Sequence, residues 1–162
     1  MSSRSASNIE CERQHVLDGW ALGVAFSIIA MGRNGPIEDT LRGPSVYIAL
    51  LNPGGIGFDF GVTYLEPTGF HNFTGLSADA ALSYGFPITR STMFLLRGGV
   101  VGYVGGNSDG GGGGDVAIYP GIGVVQRLVG PLAASAEVAE RFWLAYDGWQ
   151  SFGARLGLLL SL

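Results

Sequence analysis

The chain has 162 residues, 47% of them hydrophobic and only 14% charged, with 28 Gly, one Cys and a formal net charge of −4. That length fits one domain, the apolar content excludes disorder, and nine scattered Arg with no Lys exclude the clustered basic face of a general nucleic-acid binder. The lone Cys excludes a disulfide framework or a Cys-based zinc cluster, the apolar runs are shorter than the roughly 18 residues of a spanning helix, and glycine far above its usual ~7% works against long helices.

Residues 1–15 (MSSRSASNIECERQH) are polar and Ser-rich. They lack the apolar run of a secretory signal, so such a signal is expected to be absent or already removed. Cys11 reads as an incidental thiol, because Ser7-Asn8-Ile9-Glu10 does not supply the small apolar residues that a lipid-anchor site needs. From residue 16 to 162 short apolar-rich segments alternate with Gly, Pro, Asn and Asp punctuation, the texture of strand, turn and strand. Eight strands are expected, at about 20–30, 44–51, 56–64, 76–87, 92–104, 116–129, 131–144 and 151–162. The first, WALGVAFSIIAM, is long enough for a buried helix, but β-formers dominate it.

Side chains alternate faces along a strand, so each segment is sorted by parity. Even positions carry Trp20, Leu22, Val24, Phe26 and Ile28; then Ile56, Phe58, Phe60, Val62 and Tyr64; then Leu76, Leu82, Tyr84 and Phe86; and finally Phe152, Leu156, Leu158, Leu160 and Leu162. Odd positions are mostly Gly, Ala, Ser and Thr. The strand windows hold eight charges, Asp59, Asp79, Arg97, Arg127, Glu137, Glu140, Arg141 and Arg155, and all but Glu140 are odd.

Two closed sheets carry such a pattern. A soluble lipocalin-like barrel turns the apolar face inward around an apolar ligand, and its outer face should then be rich in Lys, Glu, Thr and Gln. Here that face would be Gly, Ala and Ser with seven charges, thinly hydrated and poorly protected at its edges. A transmembrane barrel turns the large apolar residues to lipid and fills a narrow eight-stranded lumen with small and charged ones. It also pairs every backbone amide, as hydrocarbon demands. The expected fold is therefore all-β, an eight-stranded antiparallel up-and-down transmembrane barrel. Trp20, Phe58, Phe60, Tyr84, Phe86, Phe152 and Leu156 would face lipid, and Phe70, Phe73, Phe142, Trp143 and Trp149 join Trp20, Tyr84 and Phe86 as candidates for interfacial girdles. Connections alternate long (31–43, 65–75, 105–115, 145–150) and short (52–55, 88–91, 130). Outer-membrane barrels have long external loops and short periplasmic turns, which would put both termini, and residues 1–15 as a tail, on the periplasmic side.

The architecture over residues 16–162 resembles the small eight-stranded outer-membrane barrels of the OmpA membrane-domain and OmpX type. Its most specific local feature is the last strand. Arg155, Leu156, Gly157, Leu158, Leu159, Leu160, Ser161 and Leu162 resemble that class's assembly signal, carried here by Arg155, Gly157, Leu160 and Leu162. The family usually ends in an aromatic, where this chain has Leu162. The resemblance implies insertion by the barrel-assembly machinery of a bacterial outer membrane. Outer-membrane lipid is a further expected partner, and an envelope protein would be one under a structural or interaction role.

The odd-face charges Asp59, Asp79, Arg97, Arg127, Glu137, Arg141 and Arg155 are expected to form an internal ion-pair network that plugs the lumen, since buried charges need partners and Arg can fork to two carboxylates. The alternative use is the lining of a small polar pore. No cofactor or metal is expected. The Gly106–Asp115 loop matches neither the EF-hand spacing nor the phosphate-loop motif. Of the two histidines, His15 lies in the tail and His71 in a loop with Phe70, Asn72 and Phe73. A lipid-modifying barrel enzyme would use such a rim histidine, but one His beside aromatics reads as a surface-loop residue. A structural or interaction role is the expectation: envelope anchoring, loop display, or a subunit of a larger assembly.

Overall fold

A computed structural model describes residues 17–33, 37–68, 73–107, 111–145 and 149–162. The period-two segments become eight strands, β1 (Gly19–Arg33), β2 (Ile37–Leu51), β3 (Ile56–Pro67), β4 (Phe73–Pro87), β5 (Thr92–Asn107), β6 (Gly112–Val129), β7 (Leu132–Trp143) and β8 (Trp149–Ser161). Each pairs antiparallel with its sequence neighbour, and β8 closes on β1. WALGVAFSIIAM is strand within β1, as its β-branched and aromatic content requires.

Closure comes with a stagger. The ladder leaving β1 at Leu22 runs through Ile48, Phe60, Ala80, Val100, Ile118, Phe142 and Gln150 and returns to β1 at Gly32, ten residues further on (32 − 22). A stagger of this kind tilts the strands and couples strand number to barrel width.

Strand boundaries at one end differ from the sequence expectation. Connections expected at 31–43, 65–75 and 105–115 are largely taken up by strand, leaving 34–36, 68–72 and 108–111 between β1 and β2, β3 and β4, and β5 and β6. The long-and-short alternation therefore appears mainly as long hairpins. Pairs such as Met31 with Asp39 and Thr74 with Gly106 continue the ladder through polar and glycine-rich sequence. Backbone pairing needs no apolar face, so a period-two hydrophobic count stops short of where the strand stops. At the other end the turns are tight, and Gly54 and Gly130 adopt φ of +78° and +54° within them, a region glycine enters without steric cost.

Orientation is unambiguous in the exposures. Phe60 is 47% exposed, Phe152 57% and Leu156 66%, whereas inward Asp59 and Arg97 are 5% and 8%. Trp20, Phe58, Tyr84 and Phe86 also lie on the outer surface. Trp20, Tyr84, Phe86 and Phe94 sit near the strand ends beside the short turns, with Trp20 edge-on to Phe58 and Tyr84 against Phe86. Tyr64, Phe142 and Phe152 sit near the opposite strand ends. Trp143 corrects the girdle expectation. It occupies an odd position and turns inward, where its Nε1 donates to Ser151 Oγ at 3.1 Å and its ring packs edge-on against Tyr103. The tail, Cys11, His15, Phe70, His71 and residues 108–110 of the glycine loop lie outside the described residues, as do the side chains of Phe73 and Trp149.

Candidate functional site: the lumen

Inward side chains sort into layers along the barrel. At the short-turn end Leu17, Ala21, Leu51, Met93, Leu95, Val125, Ala133 and Leu159 form an apolar layer. At the other end Ile29, Leu41, Leu65 and Tyr103 form a second, with Met31 and Trp143 packed on it. Both draw on odd positions, the face that the sequence shows as mostly small with sparse charge. A narrow lumen is filled by whatever reaches its axis, and Leu, Met and Tyr do so where neighbouring strands supply Gly or Ala.

The charges lie between these layers. Arg97 of β5 bonds Asp59 of β3 and Glu137 of β7. Its direct neighbour on β6 is Gly121, and Gly123 is the direct neighbour of Glu137, so no side chain on β6 blocks the reach between β5 and β7. Arg155 of β8 stands beside Glu137 in the ladder. Its Nη2 donates to Glu137 Oε2 at 2.7 Å and lies 3.8 Å from Asp59 Oδ1, while Nη1 lies 3.7 Å from Asp79 Oδ2. Two guanidinium groups thus hold three carboxylates, the forked geometry for which Arg is suited.

Neutral groups frame this cluster. The Tyr47 hydroxyl spans the lumen to Ser135 Oγ at 2.8 Å, and the Arg155 guanidinium carbon lies 4.7 Å from the Tyr47 ring centre, within the range of a cation–π contact. The ring fits because β1 carries Gly23 opposite Tyr47: a Cβ there would fall 2.3 Å from the ring. Ser27, Ser45 and Thr63, on three successive strands, form a hydroxyl ladder with contacts of 2.7 and 2.8 Å. Parity carried a signal for all of these, since each is odd, but not for their partnerships, which depend on register and stagger.

Two predicted members stand apart. Arg127 lies at the β6–β7 bulge, where its Nε donates to the Gly130 carbonyl at 2.8 Å. The turn geometry there takes it out of the lumen sequence of layers. Arg141 is inside, with its guanidinium carbon 5.9 Å from the Tyr119 ring centre, and makes none of the ion pairs. Glu140, the even-numbered exception, is on the outer surface beside Phe152. In the terminal segment Arg155 points inward, with Gly157 at the next position of the same parity, and Leu160 and Leu162 lie outward. Among the described residues no three His, Cys, Asp or Glu side chains converge as metal ligands.

The architecture is that of the small eight-stranded outer-membrane β-barrels. Among solved structures it is similar to Neisserial surface protein A, with a TM-score of 0.67 at 13% identity, covering 90% of this chain and 98% of that one. It is likewise similar to Ail, the attachment invasion locus protein of Yersinia pestis, solved with the heparin analogue sucrose octasulfate (TM-score 0.58, 14% identity, 89% and 99% covered). The N-terminal β-barrel domain of Pseudomonas aeruginosa OprF gives a TM-score of 0.55 at 14% identity, with 85% and 97% covered. No protein-family model matches the chain, and no curated protein matches it in sequence.

Proposed function

We propose that this protein is a closed, non-conducting barrel of a bacterial outer membrane, with a structural or interaction role carried by what it holds at the membrane surface. The lipid-facing band supports the membrane assignment. The carrying observation for closure is the layered lumen, in which the cluster of Arg97, Arg155, Asp59, Asp79 and Glu137 is enclosed by apolar side chains towards both ends. An ion crossing this barrel would have to break paired charges and pass through two dry layers. The reading places the short turns and both termini at the periplasmic face and the long hairpins outside. It takes the barrel-assembly machinery as the inserting partner, through Arg155, Gly157, Leu160 and Leu162, and an envelope or external partner at the hairpin tips. Ail, similar in fold, was solved in complex with a heparin analogue, which supports looking for an external partner.

The experiment is conductance in planar bilayers. Purified, folded barrel should insert without steady ohmic current. A stable current in the unmodified protein would replace the plug by the pore reading. The enzyme reading centres on His71, and acyl transfer to or from outer-membrane lipid, lost in His71→Ala, would establish it against the role proposed here.

A further inference from the structure

Arg141 is a buried cation that the ion-pair cluster does not use. Its Nε and Nη1 are shielded from solvent and meet no acceptor of the protein. The guanidinium lies over Gly153, where a Cβ would come within 2.1 Å of Nη1, so β8 presents bare backbone to it. The Tyr119 ring centre lies 5.9 Å from its guanidinium carbon. Leaving two buried guanidinium nitrogens without acceptors is costly.

Across a cavity of about 20 Å³ from Arg141 stands a carboxylate that is also poorly served. Asp79 Oδ2 has the Tyr119 hydroxyl at 3.4 Å and Arg155 Nη1 at 3.7 Å, both long for charged hydrogen bonds. The cavity wall includes Ser27, Thr63 and Ser77 as well as Arg155. A volume of roughly 10–15 Å³ on this measure accommodates one water, provided two to four polar groups face it, and this chamber meets both conditions.

We propose that the chamber is a hydration site in which an ordered water accepts from the Arg141 guanidinium and donates to Asp79, making Arg141 the sixth member of the lumen network through solvent. The charge count favours water over a small anion. Around the chamber Asp59, Asp79 and Glu137 balance Arg97, Arg155 and Arg141, so this central cluster is neutral. A halide would add an uncompensated negative charge facing Asp79.

The test is a crystal structure of the detergent-solubilised protein at a resolution that shows ordered water, with a second crystal grown in bromide. One solvent peak within hydrogen-bonding distance of both Arg141 and Asp79, without anomalous signal in bromide, is the expected result. Arg141 seated directly on a carboxylate, a dry chamber, or a bromide peak there would overturn the proposal. Unfolding rates in detergent give a second readout through Asp79→Asn, Arg141→Met and the double variant. Groups sharing one network couple, so the double variant should unfold at least about threefold more slowly than the product of the two single effects. Single effects that simply multiply would also overturn it.

Discussion

Arg155 is the residue on which most of the lumen chemistry converges: three carboxylates lie within 4 Å of it and the Tyr47 ring lies beneath it. Truncation leaves Asp79 without an ion-pair partner and Glu137 and Asp59 with Arg97 alone. Arg155→Ala should therefore cost about 3–5 kcal/mol, the range for removing one partner of a buried pair. It is read as a lower temperature for the heat-induced gel shift. Arg127→Ala is the control. Its guanidinium serves one turn carbonyl at the surface, and the change should stay within about 0.5 kcal/mol. Equal losses in the two variants would mean that the cluster does not stabilise the barrel. At this scale the sequence told which residues face inward, because parity is a backbone property. It did not separate Arg127 from Arg97, since both are odd and only the β6–β7 bulge distinguishes them.

At the scale of the strand, the outer face grades from the centre of the apolar band to its edges. Phe60 stands mid-strand in β3 between Ile48 and Ala80, whereas Phe152 stands near the end of β8 beside Glu140. A guanidinium on the lipid side costs about 2–4 kcal/mol at the bilayer midplane and about 0–1 kcal/mol near the interface. Phe60→Arg should thus destabilise the folded barrel in lipid vesicles more than Phe152→Arg does. The measurement is reversible denaturant unfolding in vesicles, and the opposite order would move the apolar band along the barrel. Strand existence and inward or outward direction were legible because hydrophobic alternation reports the lipid-facing stretch. The strand ends were not: the pairs Ala30 with Thr40, Met31 with Asp39, Gly105 with Gly113 and Gly106 with Gly112 continue the ladder through polar and glycine-rich sequence, where no alternation marks it. The inward aromatics Tyr47, Tyr103, Tyr119 and Trp143 escaped for a related reason. An aromatic ring on the lumen face is accommodated only by glycines and alanines on neighbouring strands, and those neighbours are set by the stagger.

For the molecule as a whole, closure rests on the seam between β1 and β8, where Ala21 meets Ser161 and Arg33 meets Trp149. The two strands that join are the first and the last of the barrel in chain order. Until β8 has joined β1, the sheet carries two raw borders of unpaired amides and carbonyls, each able to recruit another chain. The unclosed sheet is thus open to pairing with other chains until the cylinder shuts. A chain ending at residue 148 should precipitate, or stay in the heat-denatured gel position at every temperature. Supplying a peptide of residues 149–162 during refolding should restore the compact band. A truncated chain that gives the compact band by itself would show that the seam is dispensable.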